Sequence, residues 1–130
     1  MSSFKISVVC CDESTAKFSR LAEAELTMEK IGELTLETVQ QEGAANDERE
    51  MHNAAHHAEH GPVTYLQHVH DGGFAVMVGE PGKLQERFFG AGEYVAFMDD
   101  EGPGHASKVG PNGVKRTLRI LKGHLELAAD

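Results

Sequence analysis

Cysteine is scarce in this sequence and cannot build a scaffold. The only two, Cys10 and Cys11, are adjacent, and neighbours of this kind rarely bridge each other, so no disulfide framework is expected. Reduced thiols in a reducing compartment are the natural reading. Positive charge is also short: 12 Lys and Arg stand against 21 Asp and Glu, a formal net charge of −9. Nucleic-acid affinity comes largely from cations displacing counterions, so nucleic acid is not an expected partner. The one basic concentration is Lys108, Lys115, Arg116, Arg119 and Lys122, read as a solvated helix face with a local anion patch as the alternative. Long apolar runs are missing too. No stretch approaches the roughly 20 residues that cross a bilayer, and Met1-Ser2-Ser3-Phe4-Lys5 lacks the apolar run of a secretory signal. A cytoplasmic address without a membrane partner is the expectation. The 130 residues, 40% apolar and 25% charged, suit a single domain over 1–130 with one core.

Hydrophobic periodicity divides the chain into strands and helices. Residues 4–11 start with apolar and polar alternation and turn continuously apolar, as a strand buried on both faces does. Asp12-Glu13-Ser14-Thr15 are turn formers. Residues 16–42 satisfy two periods. Helix formers are dense over 16–29, yet Ala22, Ala24, Leu26 and Met28 alternate with polar residues, and Leu34 and Leu36 continue the alternation. A hairpin turning at Ile31-Gly32-Glu33 is the favoured expectation. Residues 42–61 are polar and acidic, a long loop or an exposed helix. Pro62, followed by Val63, Leu66 and Val69, predicts a helix that Asp71-Gly72-Gly73 stops. Residues 74–78 and 94–98 are apolar runs predicting buried strands, with a helix between them over 83–89 carrying Leu84 and Phe88 on one face. Val114, Leu118, Leu121 and Leu125 predict a final amphipathic helix. Strand and helix alternating through the second half implies parallel crossovers and an α/β fold.

Histidine is what the chain has in excess, eight in all. Four of them, His52, His56, His57 and His60, fall within nine residues. On a helix His52, His56 and His60 would share one face, and imidazoles at i, i+4 can chelate one ion. His57 and Glu59 would lie off that row as outer partners. A solvated histidine-rich surface is the bland alternative. His68 and His70 diverge on a helix and would share a metal only in some other backbone geometry; His70 alternatively caps the helix C-terminus. His105 follows the second core strand in a glycine-rich loop and can approach the same mouth, while His124 is expected to be exposed on the last helix. Cys10 is expected in the core, and Cys11 is a candidate soft-metal ligand.

In order along the chain, several short motifs resemble the dinitrogenase iron–molybdenum cofactor biosynthesis family, whose members carry or help assemble that cofactor. The opening strand Phe4-Lys5-Ile6-Ser7-Val8-Val9, the segment Lys17-Phe18-Ser19-Arg20-Leu21-Ala22, the run from Phe74 through Val78-Gly79-Glu80-Pro81-Gly82 to Gly92, and the stretch from Val114 to Leu125 carry the likeness. The resemblance implies a ribonuclease-H-like single domain: a mixed five-stranded sheet with an N-terminal hairpin and flanking helices. It implies non-covalent binding of an iron–sulfur or iron–molybdenum-type cluster at loops on the strand ends. Cys11, Ser19, Arg20, Gly79, Gly82 and His105 are the candidate cofactor-binding residues, and His52, His56, His57, His60, His68 and His70 the candidate metal ligands.

Three functions follow as expectations. The first is a cluster carrier accessory to metallocofactor assembly, with a client metalloenzyme or assembly protein as partner. The second is a histidine-based binder of zinc, nickel or copper without cluster affinity. The third, a nuclease-like enzyme, needs several carboxylates holding two metals, and only Asp12 stands at a strand end. Residues 79–82 are too short for a phosphate-binding loop. The chain is expected not to be an enzyme.

Overall fold

The computed structural model describes residues 2–53, 56, 57 and 59–128, with the backbone alone for 56 and 57. It is built mostly of strands: 62% of the described residues are strand and 6% helix. In chain order the elements are β1 (Phe4–Cys11), β2 (Ser19–Leu26), α1 (Met28–Leu34), β3 (Thr35–Gly43), β4 (Glu48–His52), β5 (His56–His57), β6 (Gly61–Val78), β7 (Gln85–Gly90), β8 (Tyr94–Phe97) and β9 (His105–Lys122). The main sheet runs β2-β1-β8-β6-β9-β3, with β7 on β6 and β4 on β9. Among the described residues only β1 and β8 pair in parallel, and the other pairings are antiparallel.

The expected five-stranded α/β, ribonuclease-H-like architecture with flanking helices is therefore corrected to a mixed, mainly antiparallel sheet with one short helix. The physical reason lies in β6 and β9, each 18 residues long. Val63, Leu66 and Val69 are spaced like a helix stripe, but Leu66 enters one core cluster and Val69 the other. A strand buried on both faces places apolar residues at odd and even positions alike, which mimics helical spacing. β9 repeats the effect: Val114 packs in one cluster and Leu121 in the other. In β7 the predicted helix face is also absent, since Phe89 is fully buried while Phe88 and Leu84 face outward.

The hairpin predicted to turn at Ile31-Gly32-Glu33 is corrected as well. β2 pairs instead with β1, from Phe4 with Leu26 to Cys11 with Ser19, and residues 28–34 form α1. Thr27 caps that helix by accepting the Lys30 N–H, Glu29 lies in the first turn, and Ile31 is 1% exposed. The cap and the acidic first turn satisfy the helix end and its dipole. Ile31 then anchors α1 over the face of β1, β2 and β8 that carries Ile6, Val8, Ala24 and Ala96.

Glycines bend the two long strands. The β6–β9 register shifts between Val69 and Asp71 and again between Gly72 and Phe74. Gly72 has φ +68, and a Cβ there would stand 2.0 Å from the carbonyl oxygen of Gly113. Beyond the bend, β6 leaves β8 and pairs with β7, while β9 leaves β3 and pairs with β4. The second cluster, with Val9, Val69, Phe74, Val76, Phe89, Val95, Phe97 and Val114, spans both halves of the bent sheet. No helix among the described residues is long and apolar enough to cross a membrane.

Candidate functional site

The described backbone puts His52 in β4 and His56 and His57 in β5, strands rather than the predicted helix on which His52, His56 and His60 would share a face. His52 ends β4 and sits opposite His105, the first residue of β9. His56 and His57 pair with Pro62 and Gly61 in β5; their side chains lie outside the described residues. His60 turns toward β3, where its Nε2 lies 3.0 Å from Glu37 Oε2. The ligand atoms of Glu37, Glu59 and His60 fall within 4.8 Å of one another. His68 and His70 are on a strand rather than a helix. Two apart, they share a face, and their rings are 4.6 Å apart. His68 stacks on Tyr94 at 4.0 Å, and His70 Nε2 is 2.5 Å from Thr117 Oγ1. Burial pushes the His68 imidazole below its ordinary range, with His70 and Arg119 adding to the effect.

The candidate cofactor-binding residues are divided among separate places. Ser19, Arg20 and Gly79 line a cavity of about 490 Å³, which Gly82 does not join. Cys11 lines another of about 400 Å³ with Cys10, Arg20, Asp100 and His124. Its thiol donates to the Glu101 carbonyl at 3.4 Å, and burial raises its pKa. Cys10 is buried in the core, and burial raises its pKa too; neither is set up as a thiolate. His124, expected on a final helix, follows β9 and lies 3.5 Å from Asp100.

His105 belongs to a third place, the inner face of the bend. Asp99, which follows β8, is 0% exposed. Its Oδ2 accepts hydrogen bonds from Ser19 Oγ at 2.8 Å and from His105 Nδ1 at 2.6 Å, while Oδ1 has no partner. A buried carboxylate held in this way fixes both the orientation and the tautomer of an imidazole. A neutral ring donating from Nδ1 to Asp99 would have its lone pair on Nε2, and Nε2 makes no hydrogen bond among the described residues. The ring is further clamped by Phe97 and by His52, each with its centroid 4.6 Å away. Gly104 permits the approach: at φ +79, a Cβ on it would stand 1.9 Å from the His52 carbonyl oxygen.

A cavity of about 120 Å³ opens beside these rings, lined by Arg49, His52, His105 and Arg116, with Gln41, Gln67 and Ser107 between them and Phe74 and Phe97 as walls. Strand alternation assembles it. Arg49 sits opposite Ser107 and Gln41 opposite Arg116, while Gln67 faces inward where its neighbour His68 faces the opposite way. Arg116 is held in place by stacking 4.5 Å over Phe74 and by donating to Gln41 Oε1 at 3.3 Å. Burial lowers its pKa, and the charge of Arg49 lowers it further. Among the described residues no carboxylate lines the cavity, and Oε1 of the lining residue Gln67 is buried without a partner.

Sequence reasoning placed His52 and His105 among the candidates but missed Asp99, Arg49 and Arg116. Asp99 reads as a turn residue after an apolar run. Arg116 belongs to the basic concentration taken as a helix face. The only available signal was the alternative reading of that concentration as an anion patch. No family model, no curated protein and no solved structure matches the chain.

Proposed function

We propose that the chain binds a small multivalent oxyanion, phosphate or a compact carboxylate, between Arg49 and Arg116. One observation carries this reading: two guanidiniums share a cavity with two imidazoles and, among the described residues, no carboxylate, in a chain whose net charge is −9. Acidic side chains are abundant, yet none of the described ones pairs with either arginine. Like charges confined at low dielectric repel, and an anion between them removes that cost. Guanidinium forks suit planar or tetrahedral oxyanions because they can donate two parallel hydrogen bonds. The size of the cavity suits a single oxyanion group rather than a whole nucleotide.

Calorimetric titration with inorganic phosphate tests it. We expect saturable binding that Arg116→Ala weakens by at least about tenfold, since a hydrogen bond to a charged group contributes roughly 1.5–3 kcal/mol. Binding that survives both Arg49→Ala and Arg116→Ala unchanged sinks the reading, as does an absence of heat with phosphate and short carboxylates alike.

A second reading, binding of a divalent metal, is favoured by the grouping of Glu37, Glu59 and His60. One imidazole and two carboxylates are a reasonable donor set for zinc. Zinc titration of the wild type against His60→Ala and Glu37→Gln separates the two proposals, because neither variant touches the anion cavity. Equal zinc affinity in all three proteins removes the metal reading. Carriage of an iron–sulfur or molybdenum cluster for a client metalloenzyme draws on the sequence resemblance alone.

A further inference from the structure

His105 lines the cavity beside Arg49 and Arg116, and its Nδ1 is turned to Asp99. We infer that His105 Nε2 accepts a phosphoryl group from an acyl-phosphate-type donor whose phosphoryl oxygens lie between Arg49 and Arg116. This deepens the anion reading above and rests on it.

His105 Nδ1 lies 2.6 Å from Asp99 Oδ2, and Nε2 has no partner among the described residues. In the neutral ring that donates to Asp99, the lone pair is on Nε2. A ring that merely packed in the core would leave that nitrogen facing apolar groups. Here His105 lines a cavity with Arg49, Arg116 and Ser107. A lone pair in such a place suits a metal ion, a proton donor or an electrophile. The two guanidiniums repel a metal cation, and among the described residues no carboxylate lines the cavity to offset them. They attract an oxyanion instead, and an imidazole lone pair gains nothing from a bound oxyanion except by attacking its central atom or taking its proton. Phosphorus in a phosphoryl group provides such an electrophile, and positioning beside guanidiniums is the main contribution a protein makes to phosphoryl transfer.

The step balances. The Nε2 lone pair forms the new P–N bond. The bond from phosphorus to the bridging oxygen breaks, and its electron pair leaves with the carboxylate of the donor, which needs no proton. Nδ1 keeps its hydrogen, so the product ring is a phosphoimidazolium carrying one positive charge. Asp99, fully buried against Nδ1, is the counter-ion for that charge, and Ser19 holds Asp99 from its other side at 2.8 Å. Asp99 is thus a positioning residue that acts through His105.

The test is chemical phosphorylation of the full chain with acetyl phosphate and with phosphoramidate, read by intact mass, peptide mapping and phosphorus NMR. We expect a single acid-labile phosphoryl group on His105 Nε2, absent in His105→Gln and formed at least about tenfold more slowly in Arg49→Ala. In Asp99→Asn the tautomer is released, and the label should appear on Nδ1 as well as Nε2, a change that a merely structural role would not produce. Label spread over His70 and His124 with His105 unmodified overturns the inference. If inorganic phosphate binds by calorimetry but His105 takes no label, the acceptor role falls while the anion cavity stands. If phosphate does not bind, both fall together.

Discussion

At the scale of single residues, the balance between burial and hydrogen bonding separates the histidines into kinds. His105 is 4% exposed and tied to a buried carboxylate. His68 is partly buried, stacked on Tyr94, and lies near His70 and Arg119, with no carboxylate partner among the described residues. Burial, chiefly, lowers the His68 pKa in the fold. Between its folded value and the ordinary value near 6.5, the unfolded chain binds more protons than the folded one. Stability contributed by neutral His68 is therefore complete above about pH 6.5 and lost as pH falls toward the folded value. Thermal melts should show wild type losing more stability than His68→Gln on acidification below that point. Parallel curves for the two proteins would show that His68 carries no such linkage. The residues that sequence inspection found and those it missed differ in the same respect. His52 and His105 are rare enough in type to attract notice; Asp99 and Arg116 are ordinary residues whose surroundings make them unusual.

At the scale of elements, the bend in β6 and β9 decides the site. Both strands change partners there, and Phe74, just past the bend, is stacked by Arg116 from before it on the neighbouring strand. Gly72 makes this crossing possible, because its positive φ and its closeness to Gly113 leave no room for a side chain. Gly72→Ala combines backbone strain with a collision against backbone, and a loss of more than about 2 kcal/mol is expected from both together. Chemical denaturation measures it, and a change within about 0.5 kcal/mol would mean that the bend tolerates a side chain. Gly82 is the contrast: it also has positive φ but has nothing within 4 Å of an added Cβ. The elements legible in the sequence were those with one strong period, β1, β8 and the apolar part of β6. Those misread were β9 and the first part of β6, where burial on two faces imitates a helix stripe. Residues 28–34 went the other way, a helix nucleated by the Thr27 cap inside a stretch that alternates like a strand.

At the scale of the whole molecule, charge and topology meet in the cavity. A chain of net charge −9 repels anions at a distance, so any anion it holds must be held by local cations at short range. The fold supplies these by bringing Arg49 of β4 and Arg116 of β9 to one cavity, and Ser19 of β2 to Asp99 and His105 at the β8–β9 connection. Composition and local patterning were enough to exclude a disulfide scaffold and to locate the apolar runs that became β1 and β8; they put His52 and His105 among twelve candidates, as ligands of a metal or cluster rather than of an anion. Which face each side chain took, and hence which arginine met another arginine, came from strand pairings between residues far apart in the chain, while His105 meets Asp99 across the short β8–β9 connection. Period-two geometry makes every such orientation depend on register, and register is set by the partner strand and its bulges rather than by neighbours in sequence.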